Sequence, residues 1–299
     1  MHNWLRLLRW KNLLVIALTQ WGVYYRYFKN LEGKFWLQPL DFNLLLVCTL
    51  CVAAGGFIIN DIFDMNTDVI NRPLDRPLTG GAISVRSAIN GYYLISGAGL
   101  LIAMYLSMHN RFYCSFLLYP ISVYIFWIYS YRLKSTVLWG NIFVSIFVAG
   151  VILLLPYAFS DGMGWLQEND PGRYFRIWKT ILTLSVFAFL SNLFREVVKD
   201  MEDFHGDHVS GFKTTAVVLG LDRCRIVLCC VMVLQFLLLI GLIVFFPSEN
   251  LNFAFVLLVL CPWLVISYWL WKNRPGSYRK WSAASKISMV SGLAYFILT

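Results

Sequence analysis

Asp61, Asp64 and Asp68 in the stretch NDIFDMNTDVINRP, and Asp200, Asp203 and Asp207 in REVVKDMEDFHGD, share one spacing: i, i+3 and i+7. On a helix that spacing lines three carboxylates along one face. Six carboxylates turned toward one space repel by roughly 2–4 kcal/mol per close pair at an effective dielectric near 20, so they call for cations. Oxygen-only donors at this density suit a hard divalent ion, and Mg²⁺ typically takes one or two carboxylates together with substrate phosphates. The chemistry implied is Mg²⁺-assisted work on a phosphorylated substrate, with all six aspartates as metal ligands. A single acidic pair at a helix end is most simply a solvated terminus. Two copies with identical spacing argue for a site.

Each acidic face closes a long apolar run. The stretch from Phe42 through Asn60 carries no charge, and a bare carboxylate in hydrocarbon costs about 2.5–3.5 kcal/mol at a helix centre. With 59% hydrophobic, 17% aromatic and 14% charged residues in 299, the chain has the composition of a polytopic membrane protein rather than a soluble domain. Nine stretches are long enough to cross roughly 30 Å of hydrocarbon: residues 12–28, 42–64, 84–108, 112–131, 136–158, 177–198, 224–246, 251–271 and 282–299. The fold class is therefore all-α, a single domain over 1–299 with about nine transmembrane helices. Pro73, with Pro77 and the two glycines of RPLTGG, stops the helix after the first motif, and Gly206 and Gly211 mark a break after the second. The N-terminal RLLRWKNLLVIALTQWG has the order of a signal peptide but no small-residue cleavage site, and is read as the first span.

Placing the N-terminus inside puts eighteen Lys and Arg on the cytoplasmic side and seven on the other. The net charge of +9 is thus a topology feature with contact to lipid headgroups, and no basic, aromatic-interleaved stretch argues for nucleic acid. In this arrangement both acidic spans descend toward the cytoplasm, so the two faces can meet across one mouth. Cys48 and Cys51 have metal-like spacing without a second ligand pair and are read as packed thiols.

On these residues the chain resembles the UbiA superfamily of intramembrane prenyltransferases: Asn60, Asp61, Asp64 and Asp68 match its first motif, NDxxDxxxD, and Asp200, Asp203 and Asp207 its second. The resemblance covers essentially the whole chain. It implies a ring of helices around a cavity with a cytoplasmic cap, and transfer of a prenyl group from a prenyl diphosphate donor to a lipophilic acceptor, with two Mg²⁺ ions bridging the diphosphate. It also implies that basic residues share the diphosphate. Lys134, in YSYRLKS, resembles the family's Tyr-and-Lys element, whose usual spacing is YxxxK. Here Tyr129 lies one residue too far and Tyr131 one too near, and Tyr131 is taken as the candidate. Arg72 beyond the first motif and Lys199 before the second are further candidates, with Asn60 and with Asn12 on the first span. Within the family, INRPLDRPLTGGAIS and GFKTTAVVLG look most like the digeranylgeranylglyceryl phosphate synthase branch, which implies geranylgeranylglyceryl phosphate as acceptor. Aromatic or quinone precursors are the alternative. From a different class, a cation or phosphate transporter also places acids in a membrane, but near the midplane on interrupted helices rather than at span ends.

Overall fold

A computed structural model of the protein describes residues 2–31, 39–71, 76–109, 113–245, 256–272 and 278–298. These form helices α1 (His2–Leu7), α2 (Trp10–Val23, continued by a π-helical turn to Phe28), α3 (Pro39–Phe63), α4 (Met65–Asn71), α5 (Val85–His109), α6 (Tyr113–Tyr131) and α7 (Trp139–Ala158). After these come α8 (Ser160–Asn169), α9 (Pro171–Glu202), α10 (Phe204–Val209), α11 (Thr215–Leu219), α12 (Leu221–Phe245), α13 (Cys261–Trp271, preceded by a π turn from Val256) and α14 (Tyr278–Leu298). No strand occurs among the described residues. Among the described residues helices fall within the expected apolar stretches, and five (α3, α5, α7, α9 and α12) are long and apolar enough to cross a membrane by length and composition. The 25 residues of α3 extend about 37 Å at 1.5 Å per residue, more than the hydrocarbon thickness.

The chain divides into two compact units, Met1–Lys134 with Leu154–Tyr174, and Ser135–Leu153 with Phe175–Thr299. Each contains one acidic motif.

In the first unit α3, α5 and α6 pack together, and their closest approach depends on small residues, as is usual where apolar helices meet in lipid. A Cβ on Gly99 of α5 would lie 2.1 Å from the Tyr119 hydroxyl and 2.7 Å from Cys51 Cβ, so a side chain there would push three helices apart. A second cluster forms around Leu7, Ile58, Leu78, Ile83 and Ala88. It fastens α1 and the loop 76–84 against the end of α3, and so sets where Arg9 and Arg76 begin. The loop turns at Gly81, φ +68°, with Gly80 N–H donating to Arg76 O at 2.9 Å and Ile83 N–H to Pro77 O at 3.1 Å.

In the second unit a Cβ on Gly292 of α14 would meet the Phe187 ring of α9 at 2.6 Å. Phe194 of α9 meets Trp263 of α13 edge-on, centroids 5.5 Å apart. Ser291 Oγ ties α14 to Leu258 O at 2.6 Å. The long α9 thereby holds a fixed place, with its acidic end leading into α10.

Candidate active site

Both acidic motifs are built on the same backbone device. A long helix ends one residue short of the middle aspartate, a short helix begins one residue after it, and the i to i−4 hydrogen bonds continue across the break. In the first, Asp64 N–H donates to Asn60 O at 2.9 Å and Asp68 N–H to Asp64 O at 2.8 Å; in the second, Asp203 N–H donates to Lys199 O at 2.8 Å and Asp207 N–H to Asp203 O at 3.1 Å. The helical phase therefore survives the break, and the i, i+3, i+7 face holds as the spacing predicts. The break after the second motif differs from expectation. Gly206 sits buried inside α10, and Gly211, φ +73°, ends the helix, with Phe212 N–H donating to Asp207 O and Gly211 N–H to His208 O. That pair of bonds is a Schellman cap, which needs the left-handed residue glycine supplies.

The first motif lies in the first unit with its counter-charges. Asp61, Asp64 and Asp68 are only 2%, 4% and 8% exposed. Arg9 Nη2 donates to Asp61 Oδ1 at 2.6 Å, and Arg76 Nη1 reaches both oxygens of Asp61 at 3.3 and 3.4 Å. Arg76 Nε also pairs with Asp68 Oδ2 at 3.3 Å. Asn60 Nδ2 donates to Asp64 Oδ2 at 2.6 Å, and the Lys134 ammonium donates to the same oxygen. Three buried carboxylates thus face three basic side chains. The protein supplies counter-charges of its own to the first motif, which spacing does not predict. Burial pushes the Asp68 carboxyl above its ordinary range; Arg76 opposes that, and the neighbouring Asp64 and Asp61 add to it.

Arg9 adopts φ +49°, a left-handed conformation costing a non-glycine residue about 1–3 kcal/mol. Asn12 stands half-buried in the first turn of α2, its N–H donating to Arg9 O at 2.7 Å. Tyr131 places its ring among aromatics, 5.3 Å from Trp127 and 5.7 Å from Phe63, the residue just before Asp64. Arg72 lies outside the described residues.

The second motif, in the second unit, is held differently. Asp200 Oδ2 accepts from Asn141 Nδ2 of α7 at 3.0 Å, and Asn141 Oδ1 accepts from the Thr215 hydroxyl at 2.7 Å. Asp207 is buried and Asp203 half-buried. Lys199 Nζ donates to Glu196 Oε1 at 2.6 Å, and Arg195 Nη1 donates to the same oxygen at 3.0 Å, so these cations gather on a glutamate one turn before the motif.

The residue pattern of the UbiA prenyltransferase family matches 21–290. The chain belongs to the UbiA prenyltransferase family. Over 268 residues it is 30% identical to the digeranylgeranylglyceryl phosphate synthase of Saccharolobus solfataricus, covering 89% of this chain and 87% of that protein. The protein of the same name from Korarchaeum cryptofilum is 29% identical over 262 residues, 86% of each chain. Among solved structures, one of digeranylgeranylglyceryl phosphate synthase in membranes superposes with TM-score 0.66 at 22% identity over 99% of this chain and 97% of its own. A UbiA homologue from Archaeoglobus fulgidus bound to GPP and Mg²⁺ gives 0.59 at 20% identity, over 98% and 99%. This UbiA chain is an all-α integral membrane protein, with the acidic motifs of both halves at the ends of apolar helices.

Spacing alone singles out neither Arg9 and Arg76 as partners of the first motif nor Asn141, Thr215 and Glu196 around the second. Arg9 and Arg76 look like ordinary flank charges of a membrane span. Asn141 leaves one trace, as a lone amide at the start of the otherwise apolar stretch 136–158.

Among the described residues no three Asp, Glu, His or Cys side chains converge into a ready-made metal cage. The donor set nevertheless fits Mg²⁺, which needs only one or two carboxylates beside water and phosphate oxygens. Each motif offers a buried aspartate on a face shared with two others.

Proposed function

We propose that the protein transfers a prenyl group from a prenyl diphosphate to geranylgeranylglyceryl phosphate, with two Mg²⁺ ions held by Asp61, Asp64 and Asp68 and by Asp200, Asp203 and Asp207. The observation that carries this reading is the balanced cluster of the buried Asp61, Asp64 and Asp68 with the half-buried Arg9, Arg76 and Lys134, at the end of an apolar helix. Such a cluster can exchange partners. Aspartates that take a divalent ion release their guanidinium and ammonium groups, and those are the donors a diphosphate requires. Bound Mg²⁺ would neutralise charge growing on the leaving diphosphate.

The chain's own groups do the rest. Lys134 and Arg76 hold phosphate oxygens, and Asn60 keeps Asp64 oriented when Lys134 moves away. Phe63, Trp127 and Tyr131 form an apolar aromatic surface beside Asp64 that keeps water from an allylic carbon losing its diphosphate. The acceptor assignment rests on the relatives' names and on the basic groups Arg195 and Lys199, which pair with Glu196, as donors to a second phosphate. The Lys and Arg distribution supports an orientation with the N-terminus and the motifs on the cytoplasmic side of the membrane.

The test uses purified protein in lipid nanodiscs with Mg²⁺ and labelled geranylgeranyl diphosphate. Either geranylgeranylglyceryl phosphate or 4-hydroxybenzoate is offered as acceptor, and products are identified by mass. The expected product is the doubly prenylated glyceryl phosphate. Faster prenylation of the aromatic acid would move the acceptor assignment to the quinone-precursor class, and no transfer to any acceptor would remove the activity altogether.

A further inference from the structure

Four groups of the second unit, two of them buried, form one directed chain that ends on Asp200. Leu138 N–H donates to Thr215 Oγ1 at 2.9 Å, the Thr215 hydroxyl donates to Asn141 Oδ1 at 2.7 Å, and Asn141 Nδ2 donates to Asp200 Oδ2 at 3.0 Å. The direction is forced. A backbone N–H can only donate, so the single hydroxyl proton of Thr215 is free for the amide oxygen. The amide must then turn its NH₂ toward the carboxylate, which when ionised can only accept. Asn141 is 6% exposed and Thr215 fully buried, so neither is oriented by solvent. Leu138, where the chain starts, has φ +60°, a left-handed conformation unfavourable for a leucine and held here against Thr215. A second tie fixes the same helices: Ser145 Oγ donates to Asn141 O at 2.7 Å and accepts from Asn192 Nδ2 of α9 at 3.2 Å.

We infer that Asn141 is a positioning residue for the second acidic motif, its amide clamped by Thr215 so that Asp200 is held in one orientation. The inference rests on the reading of Asp200 as a metal ligand. A lysine or arginine in that place would compete with a divalent ion for the carboxylate; a neutral amide orients it without that competition. Groups that orient a ligand in this way typically alter metal affinity by about 10–100-fold when removed.

Mg²⁺ binding is measured by calorimetry on the purified full-length protein without substrate, alongside the Mg²⁺ concentration for half-maximal turnover and the melting temperature. Asn141→Ala is expected to weaken Mg²⁺ binding about 10–100-fold and to regain turnover at high Mg²⁺. Thr215→Val, which keeps the side-chain shape but frees the amide to rotate, should shift binding in the same direction by less, and Thr215→Ser should restore the wild-type value. Wild-type Mg²⁺ binding in both Asn141→Ala and Thr215→Val, whatever their melting temperatures, overturns the inference and leaves Asn141 a packing residue. Asp200→Asn separates the two levels. If it loses Mg²⁺ binding while Asn141→Ala keeps it, only the positioning role fails; if Asp200→Asn itself binds normally, the ligand reading beneath fails as well. Should Asn141→Ala not fold, the contrast between Thr215→Val and Thr215→Ser decides alone.

Discussion

Around the first acidic motif, Arg9 and Arg76 close on Asp61, Arg76 also on Asp68, and Lys134 on Asp64; around the second, Asp200 is held by the neutral amide of Asn141 while Arg195 and Lys199 turn to Glu196. The backbone is nearly the same in both, a long helix, a one-residue break at the middle aspartate and a short helix. Identical acidic spacing therefore does not imply identical electrostatics. The first motif resembles a switchable ion network, in which cations can pass from carboxylate to phosphate. The second holds Asp200 by a neutral amide. A duplicated motif can divide its labour through neighbours distant in sequence, because neutral and charged partners cost a carboxylate different amounts when a metal competes for it.

Metal removal tests what the two motifs share and carries the largest expected effect. EDTA-stripped protein should show no prenyl transfer, with activity restored by Mg²⁺; full turnover without metal would end the metal-diphosphate reading for both motifs at once. Next come Asp64→Asn and Asp203→Asn, which probe the same position of each motif. Because loss of an orienting group already costs about 10–100-fold in metal affinity or activity, loss of a ligand should lower turnover by more than about 100-fold. The folded fraction, followed by thermal melting in detergent, should stay near wild type. A near-normal rate in one variant alone would show that only one motif binds metal.

Lys134→Met sharpens the difference between the halves. It removes the ammonium but leaves Asn60 on Asp64, and a hydrogen bond to a charged group contributes roughly 1.5–3 kcal/mol. The donor KM should therefore rise about 10–100-fold, with the acceptor KM little changed. The smallest effect is expected from Lys199→Met and Arg195→Ala. Their Glu196 partner and partial exposure leave less binding energy to lose, so the acceptor KM should rise by no more than about tenfold at unchanged donor KM. If these variants move the donor constant instead, the cations of both halves serve one diphosphate, and the glyceryl phosphate assignment loses its support.

Much of the architecture was legible because it is written in local periodicity. Five of the apolar runs appear among the described residues as helices long and apolar enough to span hydrocarbon, since in lipid a backbone must satisfy its own hydrogen bonds. The i, i+3, i+7 spacing survives into the structure because the hydrogen bonds of both helices bridge Asp64 and Asp203. Gly206 shows where such reading stops. A glycine permits a break without requiring one, and the left-handed residue that ends α10 is Gly211.

What the sequence determined by itself is the α-helical membrane class and the two acidic faces, both properties of short windows. The tertiary structure alone decided which partner each carboxylate has. Arg9 reaches Asp61 across 52 residues, Lys134 reaches Asp64 across 70, and Asn141 meets Asp200 across 59 and Thr215 across 74. Lysines and arginines at span ends look alike in sequence, since orientation in the membrane and service to an acid place them in the same segments. Only packing chooses among them: the seating of Leu7, Leu78 and Ile83 against Ile58 brings Arg9 and Arg76 to the first motif. The strained turn at Leu138, held by Thr215, brings Asn141 to the second.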